Sequence, residues 1–266
     1  MNIFVRELKA HRKSLIIWCI GAFYMVAASM WKFGAEYSSN QSLNELISQL
    51  PEAVRVILGI RGSFDLSTAG GYYGLLYYYL VLMATIHSAM IGASIISKEE
   101  QNKTTEFIVA KPVTRNEIIT SKLLAGFTNI FIFNMVTTLS SLIMLEYYNK
   151  GQSITKEIIM LMIGMFILQL IFLLVGTASA AISKNPKMSS VAALTILLIT
   201  LMLAKIIDMN SKLDGLKYFT PIKYFEAEQL LLQGGFKPIF LVLCVVIIAI
   251  LFSSPYVFYK KRDLNV

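Results

Sequence analysis

The sequence predicts an all-α membrane protein with six transmembrane helices, a short cytoplasmic helix and short extracellular helices. Three observations lead to the membrane class. The 266 residues are 56% hydrophobic and 15% charged, whereas a soluble domain carries about 45–50% apolar and about 25% charged residues. The chain holds six stretches nearly free of charge, each close to the roughly 20 residues a helix needs to cross a bilayer core. Its basic residues gather at alternate ends of those stretches. Mean hydropathy is +0.64. Disorder and low-complexity classes are excluded by the same composition. Cys19 and Cys244 both lie inside apolar runs, so neither a disulfide framework nor a thiolate zinc cluster is predicted.

The spans are placed at about 15–35, 72–97, 118–145, 158–183, 188–207 and 238–259, within one transmembrane domain covering 1–266. In the first, Lys32 lies near one end, where its aliphatic stem can carry the ammonium to the headgroups. The second contains no formal charge and one histidine, His87. Lys122 stands near the start of the third, and the fourth is uncharged throughout. The fifth follows the break Lys184-Asn185-Pro186-Lys187 and carries Lys205 near its end; the sixth precedes the basic run Lys260-Lys261-Arg262.

Orientation follows from the tendency of Lys and Arg to remain in cytoplasmic loops. With the amino terminus inside, the inner segments hold 14 basic residues and 6 acids, and the outer ones 8 basic residues. Both termini are therefore expected in the cytoplasm of a multi-pass plasma-membrane protein. The net charge of +8 then belongs beside anionic lipid, and nucleic acid is not an expected partner. Residues 1–13 are basic like a signal-peptide flank, but the apolar run behind them is too long for one, which predicts an uncleaved anchor.

Between the spans, Phe4, Leu8, His11 and Leu15 share a helical face while Arg6, Lys9 and Lys13 fall on another. This fits either an amphipathic helix in the headgroup layer or a basic flank that orients the first span. In the outer loop 36–71, the stripes Leu43, Leu46, Ile47, Leu50 and Val54, Ile57, Leu58 predict two short helices separated by Pro51. In 208–237, Thr220 as cap and Pro221 at the first helical position predict a helix with Ile222, Phe225 and Leu232 on one face, closed by Gly234-Gly235. Pairs Lys32–Glu36 and Lys205–Asp208 are at helical spacing.

Residues 98–117 form the most informative segment. A short helix should stop before Pro112, because the ring disfavours helical geometry at the preceding residue. The next helix starts with a capping box of Thr114 and Glu117, and Val113 and Ile118 are placed for a hydrophobic staple. Such a rigid corner suits a lever that transmits force to two spans. It equally suits a well-capped loop that only satisfies backbone groups.

The run 100–122 resembles the cytoplasmic loop of type-two ATP-binding-cassette (ABC) exporter permeases. There an acidic residue precedes a Gly-Thr pair, an apolar helix, a Pro-x-Ser/Thr-Arg corner and then a lysine. The matching residues are Glu100, Thr104, Glu106 to Ala110 (with Phe107), Pro112, Thr114, Arg115 and Lys122, while Lys103 stands where the family commonly has Gly. The resemblance implies a permease subunit whose loop is a coupling helix seated in a separate ATPase. It further implies a dimer with a second copy or a sister permease. ATP and magnesium are expected in the partner ATPase, with no cofactor bound by this chain. A Gly-x-x-x-x-Gly-Lys-Ser/Thr phosphate loop is absent from the sequence. Substrates of the kind implied are hydrophobic or amphipathic, such as an antimicrobial peptide, a drug or a lipid. Alternatives are small-ion efflux and a membrane scaffold or sensor.

An intramembrane enzyme is disfavoured, since neither His-Glu-x-x-His nor Gly-x-Ser-x-Gly occurs and His11 and His87 are the only histidines. His87 in mid-span is either a functional group or a neutral histidine bonded to a neighbouring helix. Tyr72 and Tyr73 fit an aromatic belt at the interface; the deeper Tyr77, Tyr78 and Tyr79 fit either a belt or a stacking surface. Tyr77, Tyr78 and His87 are the candidate substrate-path residues. Ala84, Ser88 and Gly92, like Gly176 and Ala180, recur every four residues and predict close helix packing.

Overall fold

A computed structural model describes residues 3–38, 47–60, 64–101, 113–149, 154–183, 185–232 and 234–261. The helices, in chain order, are α1 (Ile3–Ser38), α2 (Glu52–Ile57), α3 (Ala69–Gln101), α4 (Arg115–Tyr148), α5 (Thr155–Ile182), α6 (Ser189–Met209), α7 (Ala227–Leu232) and α8 (Pro238–Lys261). Six of them are long and apolar enough to cross a membrane. Short 3-10 helices occupy Pro186–Met188, Ser211–Phe219 and Pro221–Phe225, and no strand occurs among the described residues.

Burial separates an interior pair from a periphery. In the most apolar stretch of α3, 72% of residues are buried, and in that of α5, 61%; the figure is 17% in both α1 and α8. The most extensive packing is between α3 and α5. Glycine makes it possible: a Cβ on Gly92 would lie 2.1 Å from the Leu173 carbonyl oxygen, and one on Gly176 would lie 2.4 Å from that of Ala89. Backbones this close gain dispersion contacts that no larger residue would allow. The small-residue spacing read from the sequence is therefore the central seam. Helices α1 and α4 pack together on one flank, α6 contacts α3 and α5, and α8 lies against α5.

We call the end where α1 starts and α8 finishes the base and the opposite end the crown. At the base, Phe4, Leu8 and Tyr256 pack on Ile95, Ile96, Ile119 and Leu123. Because α1 runs unbroken from Ile3, the basic segment and first span form one helix. Its faces also differ from expectation: Lys9 and Lys13 are exposed, but Arg6 turns inward to a buried carboxylate.

At the crown, α2 begins directly after Pro51, which accepts from the Val54 and Arg55 amides, and none of its residues is buried. Of the first predicted stripe there, Leu43 and Leu46 lie outside the described residues. The predicted helix after Thr220 is broken in two. Pro221–Phe225 is a 3-10 helix, Glu226 is extended, and α7 follows. The Lys223 ammonium meets the Glu226 carboxylate at this break. Thr220 starts the turn without a side-chain cap, its hydroxyl donating instead to the Thr200 carbonyl at 2.9 Å. Tyr73 is no belt residue: it is fully buried, and its hydroxyl lies 2.6 Å from Ser141 Oγ.

Candidate coupling base and crown cleft

The last turn of α3 carries Glu99, which is 8% exposed. Its Oε1 accepts from Arg6 Nη2 of α1 at 2.7 Å, and its Oε2 accepts from Lys122 Nζ of α4. Lys122, only 1% exposed, also donates to the Ile95 carbonyl at 2.6 Å. Arg6 reaches the Glu7 carboxylate at 2.8 Å, and His11 lies 4.0 Å from the other Glu7 oxygen. One carboxylate thus ties three helices. A buried ammonium is tolerated only when paired and hydrogen-bonded, and Lys122 has both partners.

Two further bonds tie neighbouring elements at the base. Gln101 Nε2 donates to Ser97 Oγ at 2.9 Å and to the Pro186 carbonyl at 2.7 Å, joining the end of α3 to the turn between α5 and α6. Thr120 and Tyr256 hydroxyls meet at 2.9 Å, joining α4 to α8. The far stem of the loop is closed by the capping box: Glu117 N–H donates to Thr114 Oγ1 at 3.3 Å, and Thr114 N–H to Glu117 Oε2 at 2.8 Å. Ile118 is buried against Ile3, while Val113 is 37% exposed.

Of the residues expected to couple, Glu100 sits on the last turn of α3, Thr114 caps α4, and Arg115 opens it exposed to solvent. Thr104, Glu106, Phe107 and Pro112, with Lys103, lie outside the described residues. Sequence reasoning missed Glu99, Arg6 and Glu7. The available signal was Lys122 itself, since a cation within an apolar span calls for an acid at the same depth.

The crown presents a small cleft, about 60 Å³, between α3, α6 and the segment 221–228. Its apolar wall includes Phe64, Val81, Leu201, Ile222 and Phe225, and its polar residues are Tyr77, Tyr78, Lys205, Asp208, Glu226 and Glu228. Lys223 is 8% exposed, and its ammonium lies 2.5 Å from both Asp208 and Glu226. Lys205 Nζ lies 4.0 Å from the Tyr78 ring centroid and donates to the Val56 carbonyl at 2.8 Å. Tyr79 donates to the neighbouring Leu58 carbonyl at 2.9 Å. Gly59 follows with φ of +77°, and a Cβ there would lie 2.7 Å from the Tyr78 ring. Tyr224 stacks on Phe240 at 4.7 Å and donates to the Tyr218 carbonyl. Burial pushes the Tyr224 phenol up to about 12.

Tyr77 and Tyr78 therefore share one cleft. His87 does not line it. That ring is 1% exposed and lies between Trp18 and Phe133, with centroids at 5.3 and 5.0 Å. Neither ring nitrogen has a hydrogen-bond partner among the described residues, so the predicted bond to a neighbouring helix is replaced by aromatic packing. Elsewhere in the interior Asn134 Nδ2 donates to Gln169 Oε1 at 3.1 Å, linking α4 to α5.

Comparison with known families gives a match over residues 1–264 to the profile described as ABC-2 family transporter protein. Comparison with curated proteins gives no significant match.

Proposed function

Since the chain belongs to the ABC-2 transporter family, and is thus a membrane permease component of an ABC transporter, we propose that it is the exporter half whose base receives a separate ATPase. Permeases of this family are membrane transport subunits that generally work with an ATPase and are not themselves catalytic. ATP and magnesium are assigned to that partner. In this reading the base faces the cytoplasm, as the bias of basic residues toward that side supports. Two copies, or one copy and a sister permease, enclose the path. The substrate is hydrophobic or amphipathic, and Tyr77 and Tyr78 lie on its way out.

The observation that carries the coupling assignment is the three-helix tie at Glu99. It stands immediately before the segment 102–112, and Thr114 caps the helix immediately after it. A push on that segment is therefore delivered to stiff stems. Coupling residues are Glu100, Thr104, Glu106, Phe107, Pro112, Thr114 and Arg115, with Arg6, Glu99 and Lys122 as the anchor that holds them. Charge reversal at Glu106 or Arg115, or Pro112→Ala, should leave the six helices inserted and uncouple ATP hydrolysis from transport. Reconstituted complex in vesicles, assayed for both activities, provides the test. Normal transport by all three variants would remove the assignment.

A further inference from the structure

Two layers of side chains cross the seam where α1, α3 and α4 pack together. At the base the layer is Arg6, Glu99 and Lys122; deeper in the bundle it is Trp18, His87 and Phe133. From the rise of an α-helix, these layers lie about 17–18 Å apart. Between them stand polar groups that a bilayer interior makes costly. On α1, Glu7 Oε2 and His11 Nε2 face each other at 4.0 Å, too far for a hydrogen bond. On α4, Asn129 shares a face with Lys122 and Phe133, seven and four residues away. Of Glu7, His11, Asn129 and His87, none is more than 7% exposed. Yet Glu7 Oε2, His11 Nε2, Asn129 Oδ1 and both His87 nitrogens have no hydrogen-bond partner among the described residues. Measured along the helices from the base layer, His11 stands at about 7 Å, Asn129 at about 10 Å and His87 at about 18 Å. Buried atoms of this kind are the usual ligands of internal water, and the steps between them are short enough for water to bridge.

We propose that this seam holds a file of internal waters that carries protons from the base to His87. A proton entering at the Glu7 carboxylate moves to His11 Nε2, leaves it for water hydrogen-bonded at Asn129 Oδ1, and is taken up by a His87 nitrogen. Each water that gains a proton gives one up, so the net change is one proton fewer in the water at the base and an imidazolium at His87. The Trp18 and Phe133 ring centroids, at 5.3 and 5.0 Å from that of His87, are near enough to attract such a cation. The charged groups of the seam, Arg6, Glu7, Lys98, Glu99 and Lys122, all stand at its base end. On the crown side of His87 the ionisable groups of α3 are the phenols of Tyr77 and Tyr73. There Ala22, Val26, Leu80 and Ala84 are buried in one apolar cluster, which closes the file at His87. That the proton moves in step with export rests on the exporter reading; the path itself belongs to the permease alone.

The test uses the fact that His11 and His87 are the only histidines of the sequence. The full chain, carrying isotope-labelled histidine, is placed in phosphatidylcholine bilayers without any ATPase and moved into heavy water. Solid-state NMR then follows the loss of each imidazole N–H signal, with His87→Gln as the assignment control. Both histidines of the wild type are expected to exchange. Asn129→Leu replaces the polar step by an apolar side chain of similar size, and should abolish exchange at His87 while His11 still exchanges. Asn129→Ser keeps an oxygen at the same place and should retain exchange at both, a result that separates the loss of a step from a disturbed fold. A His87 that keeps its proton in the wild type would overturn the proposal, as would equal exchange at His87 in the wild type and Asn129→Leu. Exchange at His87 in a protein that recovers no ATPase partner would leave the path standing and remove the exporter reading.

Discussion

At the base one carboxylate, Glu99, is shared by two cations; at the crown one cation, Lys223, is shared by two carboxylates. The clusters are inverse in charge, and they differ more in reach. Arg6 and Lys122 stand 93 and 23 residues from Glu99 and belong to different membrane helices. Asp208 stands 15 residues from Lys223, and Glu226 only three. Base pairs therefore fix the relation between helices. Crown pairs shape one local segment on top of them.

This difference sets the sizes of the expected effects. Glu99→Ala leaves the buried Lys122 ammonium without its carboxylate, which costs about 3–5 kcal/mol and should lower thermal stability in detergent more than any crown change. The double variant Glu99→Leu/Lys122→Met should recover most of that loss, because a well-packed apolar pair can replace a buried ion pair. Failure of the double variant to recover would mean that the charges, and not the packing they occupy, hold the helices.

A smaller and more local effect is predicted for Lys223→Met, about 1–3 kcal/mol from two carboxylates losing their donor. Hydrogen exchange should rise in 211–226 while the base keeps its protection. Spread of the change to α3 and α4 would break the contrast between the two ends. Next comes Thr114→Ala, costing about 0.5–2 kcal/mol and read as faster exchange in the first turn of α4.

The smallest effect appears only in alkali. The folded pKa of Tyr224 is raised to about 12, mainly by burial, above the ordinary value of about 10. A raised pKa favours the folded state fully below the unfolded value, and that contribution is lost as pH climbs through the folded one. Tyrosinate absorbance, compared with Tyr224→Phe, should show this phenol ionising near pH 12, with the crown loosening between pH 10 and 12. Ionisation near pH 10 would contradict its burial.

What was legible in the sequence was local or periodic. Six charge-poor runs announced the membrane helices, and the capping box could be read from Thr114 and Glu117 because both partners lie within one turn. The four-residue spacing at Gly92 and Gly176 announced close packing, though not that the two sites form a single seam. Partnerships across the fold stayed hidden. Nothing in the chain order joins Arg6 to Glu99, and Glu99 and Glu100 are neighbours of the same chemistry on different helix faces. Tyr73 was misplaced because an aromatic cluster near a span end suits a belt as well as a core; only the position of Ser141 on α4 decides. The broken helix after Thr220 was hidden because Pro221 opens a 3-10 turn as readily as an α-helix, and the Asp208 partner of Lys223 stands 15 residues away on α6.

The central claim is that the base receives a separate ATPase. Its most direct measurement is a pull-down of the tagged protein in mild detergent, with mass spectrometry of the bound partners. The account predicts recovery of an ATPase carrying a Gly-x-x-x-x-Gly-Lys-Ser/Thr loop, and its loss when residues 100–115 are altered. Undiminished recovery of that ATPase from the altered protein, or none from the wild type in several detergents, would contradict it.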